Sequence, residues 1–353
     1  MGNREIKYFE AIHEAIDLSM QNDPSVYIMG LGVPDPKGIF GTTIGLQKKY
    51  GTERVMDMPC SENGMTGVAI GSALVGMRPI MTHQRVDFVL LALEQIVNQA
   101  AKWHYMFAGQ LKVPLVIRLI IGRGWGQGPQ HSQSLESWFA HIPGLKVVMP
   151  TTPYDAKGLL ISSIEDNNPV LFIEHRWLHS ISGRVPEKMY RVPIGKPKIL
   201  RKGTDITIVA TSFMTIEALR ASDFLETLGI HPEVIDLRTL RPLDDTPIIS
   251  SVKKTGRLLV VDTGWTSFGI GAEIIARVTE KGFSHLITAP HRIGLPEVPT
   301  PTSSALSDHY YPHAEDIINS VLDMLKRDTR NITIPKLHEG PLDIPDLNFT
   351  GPF

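Results

Sequence analysis

The chain has 353 residues, a formal net charge of −2 and a hydrophobic content of 42%. Its length predicts two domains with ordinary cores, and its near-neutral charge excludes an electrostatic attraction to nucleic acid or to an anionic membrane. No apolar run is long enough to span a bilayer, and the amino terminus carries no hydrophobic signal core. The single cysteine, Cys60, excludes an internal disulfide and is typical of a reducing compartment, so we expect a cytoplasmic protein without nucleic-acid or membrane partners.

The first half of the chain alternates β-branched apolar runs with helical stretches. Continuous apolar strands that alternate with helices predict a parallel sheet covered on both faces. The predicted strands lie at 26–29, 54–57, 78–81, 115–121, 146–149 and 170–173, and the predicted helices at 8–21, 63–76, 88–108, 134–141 and 153–165.

A second α/β unit follows a segment rich in Pro, Lys and Arg. Its predicted strands lie at 205–210, 232–236 and 258–262, and its helices at 215–228, 269–281 and 314–326. We therefore predict two three-layer α/β domains with mostly parallel sheets. The expected division is a first domain at 1–185, a linker at 186–203, a second domain at 204–328 and an extended, proline-rich tail at 329–353, ordered only where it docks on a surface.

Glu62 is an acid among small and apolar residues at the start of a predicted helix. Ser61 or Asn63 can cap this helix, and the Gly and Ala positions that follow indicate backbones packed closely against something. A carboxyl group in such a place is poorly solvated, which suits proton transfer. The alternative is a structural role, in which a first-turn Glu complements the helix dipole.

Several motifs follow Glu62 along the chain. They are Asp87-Phe88, the segment from Leu93 to Lys102, the glycine-rich segment from Gly122 to Gln133, and the segments 144–148 and 236–244. In this order and at these spacings they resemble the beta subunit of the thiamine-diphosphate-dependent, decarboxylating component of 2-oxo-acid dehydrogenase complexes. This transketolase-like family includes the pyruvate, branched-chain and acetoin enzymes, and the resemblance runs from about residue 11 to about residue 324.

The resemblance implies a transketolase-like pyrimidine-binding domain followed by a transketolase C-terminal domain. It implies that Glu62 is catalytic and hydrogen-bonds the pyrimidine ring of thiamine diphosphate, and that Phe88 packs on that ring. It also implies that His131 is catalytic and acts on the substrate-derived group, because an imidazole near neutrality can accept or donate a proton. A core aromatic at position 88 and a structural histidine at 131 are the alternatives.

Two residues of the glycine-rich segment are not typical of this family. Arg123 and Trp125 are candidates for recognising the carboxylate of the substrate or another anion, since a guanidinium can form paired hydrogen bonds with such a group. A solvated loop arginine is the alternative.

The turn Asp166-Asn167-Asn168-Pro169 lies between a predicted helix and a predicted strand. The resemblance implies a structural monovalent cation here, usually potassium. Its ligands would be oxygens of Asp166 and Asn168 and the carbonyls of Ser163 and Ile164. An oxygen-only ligand set suits a hard cation.

The resemblance also implies partners. The chain lacks the Gly-Asp-Gly motif that binds the Mg²⁺ of thiamine diphosphate, so we expect an alpha subunit to supply Mg²⁺ binding in an α2β2 heterotetramer. The acyl product would pass to lipoamide on a lipoyl acyltransferase. However, Leu31-Gly32 replaces an acidic pair of the family. Two alternatives therefore stay open: a carboligase or transketolase-like enzyme that transfers a two-carbon unit to an aldehyde or sugar, and a non-catalytic scaffold or regulatory subunit.

Overall fold

The computed structural model describes residues 4–123, 126–330, 332–347 and 349. The β-strands are β1 Glu5–Lys7, β2 Val26–Met29, β3 Val55–Met56, β4 Arg78–His83, β5 Val116–Ile121, β6 Lys146–Val148, β7 Val170–His175, β8 Ser182–Arg184, β9 Lys198–Arg201, β10 Ile206–Ala210, β11 Pro232–Asp236, β12 Thr239–Arg241, β13 Leu258–Trp265 and β14 His291–Leu295. The α-helices are α1 Tyr8–Asn22, α2 Leu46–Tyr50, α3 Glu62–Leu74, α4 Ala101–Met106, α5 Glu136–Ala140, α6 Pro153–Glu165, α7 Phe213–Thr227, α8 Thr246–Thr255, α9 Ile270–Gly282, α10 Ser304–Ser307 and α11 Ala314–Met324.

A seven-stranded sheet forms the centre of the first half, in the order β12-β6-β7-β5-β4-β2-β3. All neighbouring pairs are parallel except β12 with β6. Alternate side chains of each strand point to opposite faces, so α1 and α6 bury one face while α3 and the segment 86–106 bury the other. Most strand residues are apolar because both faces are covered, and two charged ones, Arg118 and Glu174, are buried as an ion pair.

The second half contains a five-stranded sheet in the order β14-β13-β10-β11-β9, parallel except for the edge strand β9. Helices α7 and α11 pack together on one face, where they share an apolar cluster with β10 and β13. The prediction of an α/β fold with mostly parallel sheets is confirmed. No helix among the described residues is both long enough and apolar enough to cross a membrane.

The structure differs from the predicted elements in three places. The predicted helix 88–108 is three pieces: a 3₁₀ segment Val86–Ala92, a π-helical segment Gln95–Ala100, and α4. The buried positions stay on one side through these changes of pitch, which is why the apolar pattern looked continuous. Part of the predicted linker, β9, is the edge strand of the second sheet. In addition, β12 comes from the second half but pairs with β6 of the first sheet.

The tail docks on the second domain and reaches the first. The backbone N–H of Leu337 donates to Glu315 Oε1 at 2.7 Å, and the carboxylate of Asp343 lies 2.9 Å from Arg123 Nη2 in the glycine-rich segment. Residue Phe349 packs its ring 5.2 Å from the guanidinium carbon of Arg176, which follows β7. The tail therefore ties the two halves of the chain together.

Two buried carboxyl groups meet where the halves pack together. Glu136 belongs to α5 and Asp262 to β13, and a Cβ added at Gly264 would lie 2.5 Å from Glu136 Oε1 and 3.7 Å from Asp262 Oδ2. These two oxygens have no hydrogen-bond partner among the described residues. Burial, and then the charge of Asp262, raise the pKa of Glu136 to about 8, and burial also raises the pKa of Asp262. At neutral pH the pair therefore holds at least one proton.

This pair predicts a pH-dependent stability. An unfolded Glu ionises near pH ~4.3, whereas folded Glu136 keeps its proton to about pH 8. The contribution of Glu136 is thus complete below its unfolded pKa and is lost as the pH rises through its folded pKa, by up to about 1.4 kcal/mol per pH unit. In urea unfolding between pH 5 and pH 8, Glu136→Gln should lose less stability than the unmodified chain. Glu280→Gln, at an exposed position of α9, is the control; equal slopes for all three proteins would contradict the prediction.

Candidate functional site

The candidate site lies at the carboxyl edge of the seven-stranded sheet. Because β2, β3, β4, β5 and β7 are parallel, the segments that follow them meet at this edge. Those segments carry the acid, the aromatic ring, the histidine and several arginines, namely Glu62 after β3, Arg85 to Phe88 after β4, Gly122 to His131 after β5, and Arg176 after β7.

His131 is held by two consecutive residues of the 3₁₀ segment. Its Nδ1 lies 2.8 Å from Asp87 Oδ2, and its ring centroid lies 5.5 Å from that of Phe88. The His131 side chain is 40% exposed and that of Asp87 13%. A carboxylate on one imidazole nitrogen fixes the ring and leaves the other nitrogen for a proton transfer. The predicted residues Phe88 and His131 are therefore in contact.

Asp87 was not among the predicted site residues. The sequence did contain a signal for it, because Asp87 directly precedes Phe88 in a motif that we singled out. A carboxylate that orients a histidine is hard to identify in sequence, since its partner lies 44 positions away.

Glu62 is the first residue of α3 and is 7% exposed. Its carboxylate accepts no hydrogen bond from any residue that the structure describes, while its backbone carbonyl accepts one from Thr66 Oγ1 at 2.7 Å. Helix α3 packs against the 3₁₀ segment that holds Phe88. A buried carboxyl without a partner is available to a bound group.

A cleft of about 900 Å³ opens beside His131. Phe88 and His131 form part of its wall, together with Phe40 from the segment after β2, and with Arg85 and Arg176. Glu62 lies at the same edge of the sheet but does not line this cleft. The volume is large enough for a small organic substrate together with part of a cofactor.

Arg123 does not play the predicted role in substrate recognition in this arrangement. Its guanidinium is 1% exposed and donates to the carbonyls of Pro301 and Thr302 at 2.8 and 2.9 Å, and to Ser307 Oγ at 2.7 Å. The carboxylate of Asp343 neutralises its charge. The second predicted anion-binding residue, Trp125, lies outside the described residues.

The guanidinium of Arg78 donates hydrogen bonds to the turn that was predicted to bind potassium. Arg78 Nη1 donates to the carbonyls of Ile164 and Asp166 at 2.9 and 3.1 Å, and its Nη2 donates to Asn167 Oδ1 at 2.9 Å. Three oxygens at this turn therefore accept hydrogen bonds from a permanent cation of the chain.

Two of the predicted ligands, Asp166 and Ser163, also have partners within the chain. The carboxylate of Asp166 pairs with the ammonium of Lys146 and accepts from the backbone N–H of Asn168 at 2.9 Å. The carbonyl of Ser163 accepts from the backbone N–H of Asp166 at 3.3 Å. Potassium binding by Ser163, Ile164, Asp166 and Asn168 stays a prediction, and Arg78 and Lys146 place two positive charges on the same turn.

We expect stability that does not depend on potassium. The unfolding midpoint should be equal in potassium chloride and in choline chloride at the same concentration. Arg78→Met should lower the free energy of unfolding by about 1–3 kcal/mol, because it leaves two partly buried carbonyls without this donor. Arg184→Met, at a side chain that is 74% exposed, is the matched control. Stabilisation of the unmodified protein by potassium over choline would contradict this expectation and favour the predicted cation site.

Comparisons with known proteins match both halves of the chain. Residues 4–180 match the family "Transketolase, pyrimidine binding domain", and residues 195–317 match "Transketolase, C-terminal domain". A solved structure described as "Split gene transketolase, inactive beta4 tetramer" superimposes with a TM-score of 0.73 at 24% identity, covering 91% of this chain and 99% of that chain. This likeness shows the fold.

Two curated relatives are similar over most of their length. The chain is 43% identical to the acetoin:2,6-dichlorophenolindophenol oxidoreductase subunit beta of Cupriavidus necator, over 92% of this chain and 98% of the relative. It is 43% identical to the mitochondrial pyruvate dehydrogenase E1 component subunit beta-2 of Oryza sativa subsp. japonica, over 90% of this chain and 85% of the relative. The chain therefore belongs to the transketolase-like family of beta subunits to which the pyruvate dehydrogenase E1 and acetoin oxidoreductase beta chains belong.

Proposed function

We propose that this chain is the beta half of a cytoplasmic α2β2 enzyme that decarboxylates a 2-oxo acid with thiamine diphosphate and transfers the acyl group to lipoamide on a partner acyltransferase. The observation that carries the proposal is the contact of His131 with both Asp87 and Phe88, at the sheet edge that also presents Glu62, whose carboxyl has no partner among the described residues. The family relationship supports the same reaction.

The residues of this chain fit the pyrimidine half of the cofactor. Thiamine diphosphate, when bound, supplies a carbon nucleophile and accepts the electron pair released by decarboxylation. Glu62 would hold the pyrimidine ring and share a proton with a ring nitrogen, for which a buried and unpaired carboxyl is suited. Phe88 would pack on the ring, and such aromatic contacts contribute about 0.5–1.5 kcal/mol beyond burial.

His131 would move a proton to or from the substrate-derived oxygen. Asp87 holds the Nδ1 side of the imidazole, so the Nε2 side is the one available to substrate. This division of roles makes His131 the proton carrier and Asp87 the residue that positions it.

An alpha subunit would complete the site. The sequence contains no Gly-Asp-Gly motif, so the proposal assigns the diphosphate and its Mg²⁺ to that subunit. The surface beside the site supports a partner. Helix α3, the residue after it and the broken helical segment that packs against it carry several exposed large apolar side chains, which are typical of protein interfaces. They are Val68, Val75, Leu91, Tyr105 and Met106.

Helix α3 also presents glycines to the outside. Gly71 is exposed, and a Cβ there would meet no heavy atom of the described residues within 4 Å. The Gly and Ala positions of α3 predict close packing. The described residues of the chain do not supply that packing at Gly71. A neighbouring subunit is the natural partner for it.

The proposal is tested by co-expressing the chain with an alpha-like subunit encoded beside it. The complex is assayed for carbon dioxide release with thiamine diphosphate, Mg²⁺ and a panel of 2-oxo acids, with lipoamide and a small aldehyde as competing acceptors. We expect acyl transfer to lipoamide. Turnover with the aldehyde alone would instead indicate a carboligase, and failure with both acceptors would favour a scaffold.

Glu62→Gln tests the role of the acid. The substitution preserves shape but removes the carboxyl proton, so cofactor-dependent turnover should be abolished while the α2β2 assembly still forms by size-exclusion chromatography. Glu53→Gln, at an exposed position before β3, should behave like the unmodified complex. Normal turnover by Glu62→Gln would overturn the assignment.

Asp87→Asn tests the positioning of His131. The amide no longer fixes the imidazole by charge, so turnover should fall by at least about tenfold, with a changed pH profile of kcat/KM. The ¹⁵N signals of the His131 ring should shift as its preferred protonated nitrogen changes. Asp323→Asn, at an exposed position of α11, controls for loss of an acid. An unchanged pH profile together with unchanged ring signals would leave Asp87 without this role.

A further inference from the structure

Two arginines line the cleft beside His131. Arg85 follows β4 and Arg176 follows β7, and they are 3% and 8% exposed. Their guanidinium carbons lie 5.4 and 4.7 Å from the ring centroid of Phe40, so both cations pack against one aromatic side chain. Both residues line the cleft.

Arg85 has unused hydrogen-bonding capacity. Its Nη1 donates to the carbonyl of Gly122 at 3.0 Å, whereas its buried Nη2 has no hydrogen-bond partner among the described residues. No carboxylate of the residues that the structure describes lies within ion-pair distance of Arg85. The nearest acid that acts on its charge, Asp87, binds His131.

The positive charges of Arg85 and Arg176 repel each other. Burial, followed by the neighbouring charge of Arg176, lowers the pKa of Arg85 to about 10, and burial lowers the pKa of Arg176 to about 10. Both groups stay charged at neutral pH. A buried guanidinium with an unused donor, as at Arg85, is stabilised by an anion that receives a hydrogen bond from it.

We propose that Arg85 and Arg176 form an anion subsite that receives the distal carboxylate of a dicarboxylic 2-oxo acid. The inference rests on the proposed function and specifies its substrate class. The carboxylate next to the keto group is the less suitable occupant, because it leaves as neutral carbon dioxide. Cations held against it would stabilise the ground state more than the transition state. The distal carboxylate keeps its charge throughout the reaction, so the two arginines stabilise it equally in the ground state and in the transition state.

A second aromatic side chain packs on Arg176. The ring of Phe349, from the docked tail, lies 5.2 Å from the guanidinium carbon of Arg176. The guanidinium of Arg176 thus packs against two aromatic rings, and a cation shielded from water in this way attracts an anion more strongly. Lys7 and Lys37 also line the cleft and add positive charge, while Asp35 is an acid of the same wall.

The test has a kinetic arm in the alpha-beta complex. We expect 2-oxoglutarate or oxaloacetate to be decarboxylated with a higher kcat/KM than pyruvate. Arg85→Gln and Arg176→Gln should each raise KM for the dicarboxylic acid by about ten- to a hundredfold, as for loss of a charge-assisted hydrogen bond, and should change KM for pyruvate by less than about threefold. Arg85→Lys should recover part of the loss, and Arg184→Gln is the charge-matched control. Pyruvate preference, or equal losses for both substrate types, would overturn the subsite.

A binding arm separates failure of the subsite from failure of the proposed function. Glutarate has two carboxylates and no keto group, so it cannot react, and its binding to the same complex is measured by calorimetry. We expect binding that weakens at high salt and in both Gln variants, each first checked for an unchanged unfolding midpoint. Absence of glutarate binding, or tighter binding of inorganic phosphate, would overturn the assignment. Glutarate binding without turnover of any 2-oxo acid would retain the anion subsite and reject the proposed reaction.

Discussion

The parallel register of the first sheet is the constraint on which the site depends. Strands β2, β4, β5 and β7 run side by side in one direction, so every segment that leaves them emerges at one edge. Residues that are distant in the chain, such as Phe88, His131 and Arg176, therefore reach one cleft. An antiparallel partner in this central group would send one of these segments to the opposite edge.

A buried ion pair strengthens that edge. Arg118 in β5 and Glu174 in β7 are both fully buried, and Arg118 Nε lies 2.7 Å from Glu174 Oε1. Arg118 also donates to Thr42 Oγ1 at 3.1 Å, and Glu174 lies 3.2 Å from His179 Nε2. The pair thus links two strands to the loop segments on either side of the cleft. Removing one partner would leave a buried charge uncompensated, which commonly costs about 3–5 kcal/mol.

Much of this arrangement could be predicted from local pattern. Continuous apolar runs identified the central strands, and the short polar segments after them identified Glu62, Phe88 and His131 as candidates. What failed depended on partners far along the chain. Arg123 looked like a free loop cation, but its counter-ion is Asp343 in the tail. The turn at Asp166 was predicted as a cation site from its own residues, and the pattern gave no sign that Arg78, 88 positions away in sequence, donates to it.

Short elements were missed for a related reason. The three-residue strand β12 has no periodicity of its own, and it exists because it pairs with β6 of the other domain. The sequence also did not predict that Arg85 and Arg176 line the same cleft, since neither arginine lies in a charged run. In both cases the decisive interaction is tertiary, and a sequence pattern contains no information about it until the strand order is known.

The central claim is that this sheet edge holds the pyrimidine half of thiamine diphosphate. The most direct measurement is a structure of the alpha-beta complex with thiamine diphosphate and Mg²⁺, in which the distance from the Glu62 carboxylate to the pyrimidine ring nitrogens is read. The account predicts a hydrogen bond of about 2.7–3.2 Å, with Phe88 packed on the ring. A pyrimidine ring bound elsewhere, or one whose nitrogens make no contact with Glu62, would contradict it.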